Sequence, residues 1–428
     1  MPLNLHAEAT QPGRITVSVL PNGMKLIVRE GRQAPLAALD IWVRAGAAYE
    51  TPDNNGISHF VEHMIFKTTS KYGPGQIDRE IEGMGAELNG GTSKDWMHFY
   101  TTVAAEYLPS AVEVLADAIT TARFKEEDIA KERQVILDEI ARAESNQDKR
   151  VMGLFAGLAY GSHPYALPPE GTKDVIGALT RDQLVSYYNR MYIPSNVCVV
   201  IAGDVSAAQA LVMVKAAFAG FKSPAKPGAS ISVTKSEPAK SPPNAVKYKL
   251  PVKQAHVVLG FMAASASDLL DSAALDVMLN ILGNTNGGRI HDALTASKIH
   301  FNGIDADFIT QKQPSAFTVH VTADQADADK IPSIILTELR RLAVEHSDMG
   351  ELFHAKRVVE GADLFEQETF SGQARALGMY DMIAVWDMSM KYAPTVKGLA
   401  PEDIRLVAEK YFSKDNYTLL VVEPEDSK

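Results

Sequence analysis

The chain has 428 residues, of which 46% are hydrophobic and 22% charged, and its formal net charge is -11 at pH 7. This globular composition excludes a fibrous or disordered chain, and the acidic balance excludes a phosphate-binding surface made of Lys and Arg clusters, so we expect no nucleic-acid partner. Because a single hydrophobic core rarely grows beyond about 250–300 residues, we expect two domains of about 200 residues each.

The N-terminal segment reads MPLNLHAEATQPGRITVSVL and lacks the basic stretch and apolar core of a signal peptide. No run in the chain approaches the roughly 20 apolar residues of a membrane-spanning helix. The sequence therefore predicts a cytoplasmic protein without a membrane span. A periplasmic location follows instead if a signal peptide has been removed from the N-terminus.

The segment Ser58–Thr69, SHFVEHMIFKTT, predicts a helix whose apolar stripe is interrupted by polar residues. His59, Glu62 and His63 stand at positions i, i+3 and i+4, which share one helix face. Two imidazoles one turn apart can hold a zinc ion, and a catalytic zinc usually takes three protein ligands. The alternative is a solvated or hydrogen-bonded histidine pair, since burying these groups without partners costs on the order of several kcal/mol. A third ligand must come from elsewhere, and an acidic helix is the natural donor.

A long helical stretch is predicted from about Glu106 to Glu144, because its isoleucines recur near the 3.6-residue period. Glu132 and Glu139 are seven positions apart and therefore lie on the same helix face. Many helices carry carboxylates at this spacing for solubility alone.

Residues 220–245 are rich in Pro, Ser, Lys and Gly and have no apolar periodicity, which is typical of a linker. We therefore predict a first domain over residues 1–222, a linker over 223–244 and a second domain over 245–428. Both sides show the same order of strands, helix, strands, long helices and strand. This internal repeat predicts an α+β fold of two homologous domains, each an antiparallel-rich sheet covered on one face by helices.

Two segments carry a resemblance to a known family. GISHFVEHMIFKTT is similar to the motif G-x-x-H-x-x-E-H-x-x-F-K-[GT]-T of the pitrilysin family of zinc metallopeptidases, whose H-x-x-E-H core defines the inverzincins. ERQVILDEI places Glu139 76 positions after His63, which matches the family spacing of the third ligand. The resemblance covers nearly the whole chain, favours the processing-peptidase-like branch and implies two domains that enclose a peptide chamber.

The resemblance implies a zinc-dependent endopeptidase that hydrolyses peptides or unfolded segments. It assigns His59, His63 and Glu139 as the ligands of one Zn²⁺ ion per chain. It assigns Glu62 as the general base that takes a proton from the attacking water. Glu132 matches an acidic position of the family near the metal, and the resemblance implies that it orients a ligand or the water.

The segment GAELNGGTSKDWMHFYTTV resembles the edge strand that follows the metal helix in this family. Peptidases of this type hold the substrate as an added strand through main-chain hydrogen bonds. The candidate substrate-binding residues are Glu87, Leu88, Asn89, Gly90 and Gly91. The alternative is that the glycines only form a β-bulge.

The second half is predicted to lack a metal site, because alignment of the repeats places Leu275, Met278 and Leu279 opposite the three motif residues. Complete members of the family supply an Arg and a Tyr, seven apart, from the second domain to hold substrate and stabilise the oxyanion. At the matching positions this chain has Leu294 and Phe301, and neither side chain donates a hydrogen bond.

A complete zinc motif beside an incomplete substrate-holding pair resembles the zinc-bearing subunit of a heterodimeric bacterial peptidase. The resemblance implies a homologous partner subunit that lacks the zinc motif and carries the Arg and Tyr. One alternative is a self-sufficient homodimeric zinc peptidase, in which another group, such as the nearby Arg289, replaces the pair. The other is a noncatalytic structural member of the same fold, like the core subunits of the respiratory cytochrome bc1 complex.

Overall fold

The computed structural model describes residues 13–222, 244–283 and 286–425. All but the last residue of the predicted linker 223–244 lie outside the described residues. Within the described residues the strands are β1 (Ile15–Val19), β2 (Lys25–Glu30), β3 (Leu36–Val43), β4 (Leu88–Thr92), β5 (Met97–Ala104), β6 (Val197–Gly203), β7 (Asn244–Leu250), β8 (Ala255–Met262), β9 (Phe301–Phe308), β10 (Ala316–Ala323) and β11 (Thr418–Pro424).

The α-helices in the same ranges are α1 (Ile57–Ile65), α2 (Gln76–Gly83), α3 (Leu108–Thr121), α4 (Glu126–Ser145), α5 (Gln147–Tyr160), α6 (Lys173–Ala178), α7 (Arg181–Met191), α8 (Ala207–Ala217), α9 (Leu269–Leu282), α10 (Arg289–Ala296), α11 (Ile331–Val344), α12 (Met349–Glu368), α13 (Phe370–Ile383), α14 (Met388–Gly398) and α15 (Pro401–Phe412). None of the helices in the described part of the chain is long and apolar enough to cross a membrane.

The described strands form two sheets with a common plan. The first has the order β1-β2-β6-β3-β5-β4, and only the pairing of β2 with β6 is parallel. The second has the order β7-β11-β8-β10-β9, and only the pairing of β7 with β11 is parallel. Apart from β1 the two orders correspond strand by strand, and α1 precedes β4 as α9 precedes β9. The predicted α+β repeat with antiparallel-rich sheets is therefore confirmed.

The central strands are buried on both faces, which differs from the expectation of a sheet covered on one face. Every residue of β6 is buried, and the apolar run of β3 is buried after its first residue. On the second face of the first sheet, Trp42, Cys198 and Val200 pack against Leu377 and Ile383 of α13. A helix from the second half therefore covers the first sheet.

In the same way, a helix of the first half, α5, covers the second sheet. Val151 and Phe155 of α5 pack against Val258, Leu420 and Val422 of the second sheet. Each half thus covers the other half's sheet with one helix. The division of the chain at residues 222 and 245 stays a prediction.

The predicted long helix is two helices, α3 and α4, separated by a short turn. Phe124 in this turn has a φ of 50°, a left-handed conformation that ends helical hydrogen bonding. Its buried ring packs against Tyr188, with the ring centroids 5.1 Å apart. This tertiary contact holds the break, for which the local sequence offers neither Gly nor Pro.

Candidate metal centre and active site

A buried carboxylate fixes the start of α1. The two side-chain oxygens of Glu50 accept hydrogen bonds from the backbone N–H of Gly56 at 2.7 Å, the backbone N–H of Ser58 at 2.8 Å and the side-chain amide of Asn55 at 3.0 Å. Burial raises the pKa of Glu50, and these hydrogen bonds partly oppose the rise. An acidic group here satisfies helix-terminal N–H groups and so fixes the helix that bears the motif.

The three predicted metal ligands converge from α1 and α4. Oε2 of Glu139 lies 3.7 Å from Nε2 of His59 and 3.7 Å from Nε2 of His63. The two imidazole rings cross edge-on with their centroids 4.7 Å apart. Ligands at zinc–nitrogen distances of about 2.1 Å around a tetrahedral centre lie about 3.4 Å apart. The nitrogen and oxygen donors are of the types that zinc takes, and Oε2 of Glu139 lies near the ligand separation from each histidine nitrogen.

His59 has the ionisation state that a metal ligand requires. Burial, and to a smaller extent the nearby His63, lowers the pKa of His59 to about 4, so its imidazole is neutral near pH 7. Its Nε2 faces Glu62 and Glu139, whereas its buried Nδ1 has no hydrogen-bond partner within the described ranges. A neutral ring with one nitrogen directed at two carboxylates is suited to donate a lone pair to a cation.

His63 is oriented by Glu132, which the sequence predicts to orient a ligand or the water. Nδ1 of His63 lies 3.1 Å from Oε2 of Glu132, and Oε1 of the same carboxylate lies 2.8 Å from Nζ of Lys67. Burial lowers the pKa of His63, but the hydrogen bond that its ring makes to Glu132 and the surrounding carboxylates raise it overall. The carboxylate of Glu132 favours a proton on Nδ1, while Nε2 of the same ring lies 3.7 Å from Oε2 of Glu139.

Glu62 lies beside the three predicted ligands and accepts a hydrogen bond from the neighbouring strand. Its Oε2 lies 3.9 Å from Nε2 of His59 and accepts a hydrogen bond of 3.1 Å from Oγ1 of Thr92. Burial raises the pKa of Glu62, while His63 and Thr92 partly oppose the rise. A carboxylate with a raised pKa is a better proton acceptor for general-base chemistry near neutral pH.

The predicted substrate strand is β4, which lies at the edge of the first sheet and pairs only with β5 among the described strands. Its register runs without interruption from Leu88 opposite Thr101 to Thr92 opposite Met97, so the glycines form no bulge. Side chains of Glu87 and Asn89 are exposed beside this edge. Peptide binding by these residues stays a prediction.

Gly90 has a packing role that the motif alone does not reveal. A Cβ atom at this position would lie 2.9 Å from Oε1 of Glu62. Gly90 therefore allows β4 to pass close to the carboxylate, and Thr92, two residues on and so on the same face of the strand, reaches the other oxygen. The sequence analysis did not identify Thr92 or Glu50 as residues of the site. For Thr92 the one local signal is its position two residues after Gly90, which places both residues on the same face of β4.

The corresponding helix of the second half, α9, has apolar residues at the positions that match the motif. Leu275 and Met278 of α9 are fully buried in the second hydrophobic core, and Leu279 packs against it. Leu294 is also fully buried there, and Phe301 is half-buried at the start of β9. None of these positions presents a hydrogen-bond donor.

Arg289 stands at the start of α10 and is committed to an ion pair. Its Nε and Nη2 atoms donate to the two carboxylate oxygens of Glu351 on α12, at 2.8 Å and 2.6 Å. This two-point contact fixes the guanidinium plane. It opposes the alternative in which Arg289 replaces the missing substrate-holding pair.

Comparison with known families gives two adjacent matches. Residues 26–173 match the family model described as Insulinase (Peptidase family M16), and residues 178–359 match the model described as Peptidase M16 inactive domain. The first range contains the metal-ligand set, and the second contains the apolar helix α9.

Relatives with similar sequences include a probable mitochondrial-processing peptidase subunit beta of Arabidopsis thaliana, which is 29% identical over 373 residues, or 85% of this chain and 69% of that protein. An uncharacterized zinc protease of Streptomyces coelicolor is 27% identical over 425 residues, or 97% of this chain and 91% of that protein. The crystal structure of a protease from Helicobacter pylori shares the fold with a TM-score of 0.89 at 22% identity, covering 96% of this chain and 100% of that one.

Proposed function

Because the chain belongs to peptidase family M16, the insulinase family, we propose that it is a zinc-dependent endopeptidase in which His59, His63 and Glu139 hold one Zn²⁺ ion. The observation that carries the proposal is the convergence of the three ligand atoms, with Oε2 of Glu139 at 3.7 Å from Nε2 of each histidine. Relatives from Streptomyces coelicolor and Bacillus subtilis are named as zinc proteases, which supports the same metal.

The ion would polarise the scissile carbonyl and lower the pKa of a water ligand to about 7. Glu62 would take the proton of the attacking water and pass it to the leaving amine. Thr92 would hold one oxygen of this carboxylate, and Glu132 would keep the His63 ring in its ligating orientation.

A peptide substrate would bind as an added strand on the free edge of β4. Edge strands present unpaired backbone N–H and C=O groups, which give affinity that depends little on sequence. The edge residues Glu87, Leu88, Asn89, Gly90 and Gly91 lead to Thr92 beside Glu62. A strand bound here would therefore run past the general base, which favours unfolded segments and peptides over folded proteins.

We further propose that a homologous subunit completes the site. The side chains of the buried Leu294 and the half-buried Phe301 have no hydrogen-bond donor, and the guanidinium of Arg289 is held in its ion pair with Glu351. Similarity to a processing-peptidase subunit supports a heterodimer with a partner that lacks the zinc motif. A self-sufficient homodimer is the second candidate, and a noncatalytic structural member is the third.

Metal analysis tests the zinc site. The purified chain should contain close to one zinc per molecule by atomic absorption, and Glu139→Gln should lower zinc affinity strongly because it replaces a charged ligand. Asp138→Asn, at the adjacent exposed position, is the matched control and should retain zinc. Full zinc affinity in the Glu139→Gln chain would remove Glu139 from the ligand set, and a zinc-free native chain would favour the structural member.

Activity measurements on mixtures test the partner. Alone, the chain should bind zinc and cleave an unstructured peptide poorly, because loss of an oxyanion donor typically lowers the rate about 10²–10³-fold. Adding a homologous subunit that carries the Arg and Tyr should restore the rate. Full activity of the chain alone, at a concentration where light scattering detects no heterologous partner, would support the homodimer instead.

A further inference from the structure

A second group of metal-ligating side chains shares no residue with the proposed zinc site. It consists of Asp148 on α5, His256 on β8 and His320 on β10. Nδ1 of His256 lies 3.0 Å from Nε2 of His320 and 3.5 Å from Oδ1 of Asp148, and one ligand atom from each of the three residues falls within 4.8 Å of the others.

The fold fixes both histidines on one face of the second sheet. His256 pairs with Thr322 and His320 pairs with Val258, so the histidines lie diagonally on neighbouring antiparallel strands and point to the same side. Their rings stack at 21°, with the centroids 5.2 Å apart. Val258, two residues beyond His256, packs against α5, which brings Asp148 over this face.

Hydrogen bonding within the protein leaves this cluster incompletely satisfied. Both partners of His256 approach the single atom Nδ1, whereas its buried Nε2 has no partner among the residues described. Burial lowers the pKa of His256, and burial together with His256 lowers the pKa of His320 to about 4, so the His320 ring is neutral near pH 7. If Nδ1 carries a proton, it can serve only one partner well. If Nδ1 is bare, its lone pair faces a carboxylate.

We propose that Asp148, His256 and His320 form a second metal site that binds a first-row transition dication of the zinc class. A cation between the three atoms would receive a lone pair from each, and two imidazoles with one carboxylate suit zinc, cobalt, nickel and iron(II). Asp148 has 68% of its side chain exposed, which gives the ion a route from solvent. Asp305 lies opposite His320 in the strand register and adds a second negative charge to the surroundings.

The site would act as a clamp between the two halves. Asp148 belongs to the helix that the first half places on the second sheet, and both histidines belong to that sheet. A bound ion would join α5 to β8 and β10 through three coordinate bonds and would stabilise the native state, because the unfolded chain has no such arrangement.

Cobalt titration of a chain that carries His59→Gln and His63→Gln isolates the second site. Apo protein should bind one Co²⁺ with the visible ligand-field absorption of a nitrogen- and oxygen-ligated ion, and Zn²⁺ should displace it and raise the melting temperature. Adding Asp148→Asn should weaken Co²⁺ binding at least about tenfold, since loss of even an outer partner of a ligand costs about 10–100-fold. Asp138→Asn, a matched exposed substitution on α4, should leave the affinity unchanged.

The exposed Asp148 can be changed without disturbing the core, and a circular dichroism spectrum checks that the fold is kept. Absence of saturable Co²⁺ binding in the histidine double variant would overturn the proposal, as would equal affinity with and without Asp148→Asn. Since this chain lacks two of the three ligands of the peptidase site, the result is independent of whether the protein hydrolyses peptides.

Discussion

Helices α1 and α9 occupy equivalent places in the two halves, but α1 carries polar residues at positions where α9 carries apolar ones. α1 directs His59, Glu62 and His63 to a set of carboxylates, whereas α9 places Leu275 and Met278 in the second core. The polar set depends on supports outside its helix, and no comparable polar set occurs at the matching positions of α9. The same place in the fold therefore holds a polar cluster in one half and an apolar core in the other, and the polar cluster includes partners from β4 and α4.

The largest expected effect comes from removing the proton acceptor on α1. Glu62→Gln should lower peptide turnover about 10²–10⁴-fold, because an amide cannot accept the proton of the attacking water. Zinc content should stay unchanged, since Glu62 is assigned no ligand role. Turnover and atomic absorption should be measured on the same preparation, with Glu82→Gln on the exposed face of α2 as control. Near-normal turnover would refute the assignment of the base.

The second prediction concerns a substitution that places the glutamate of the motif at the matching position of α9, Met278. Met278→Glu should destabilise the native state by about 3–5 kcal/mol, because it buries a carboxylate where no partner has been provided. Urea unfolding would measure the change. Asn280→Glu on the exposed face of the same helix should change the free energy of unfolding by less than about 0.5 kcal/mol. Equal stability of the two variants would show that α9 already tolerates a polar site.

The third prediction concerns Glu132, which contacts His63 of α1 but is not itself a predicted ligand. Glu132→Ala frees the His63 ring and should weaken zinc binding about 10–100-fold. Competition with a fluorescent chelator measures the affinity, and Gln134→Ala on the exposed face of α4 serves as control. Unaltered affinity would mean that packing alone orients the ring.

The smallest expected effect comes from a substitution at Gly90, where β4 passes close to Glu62 of α1. Gly90→Ala would place a methyl group 2.9 Å from Oε1 of Glu62 and should lower turnover roughly tenfold with zinc retained. Gly91→Ala is the control for general disturbance of the strand, because its methyl group would face His98 instead. If both substitutions lower turnover equally, the proposed contact with Glu62 does not explain the effect.

Local patterns predicted the repeat, the class of fold and the helix that carries the motif, because apolar periodicity is encoded within each element. The positions of Glu132 and Glu139 on one helix face followed from counting, and their approach to the histidines agrees with the resemblance. Glu50 and Thr92 could not be found in this way. Their hydrogen bonds join segments outside the motif, and neither has a local signature as strong as H-x-x-E-H.

Two features of the fold depend on contacts that no short segment contains. The break at Phe124 results from a left-handed conformation held by packing on Tyr188. The helix that covers the second face of each sheet comes from the other half, so a pattern within one repeat cannot reveal which segment supplies it. A sheet strand that is apolar on both faces, such as β6, is the available sequence signal for such a cover.

Because α13 covers the first sheet and α5 covers the second, the first sheet cannot be fully covered until late in synthesis of the chain. The last strand of the first sheet ends at Gly203, but the helix that covers its second face ends at Ile383, 180 residues later. At roughly 5–20 residues per second, the ribosome needs about 10–40 s to deliver that helix. During this interval Trp42 and Val200 have no native cover, so the nascent first half presents an apolar surface to chaperones until the chain is nearly complete.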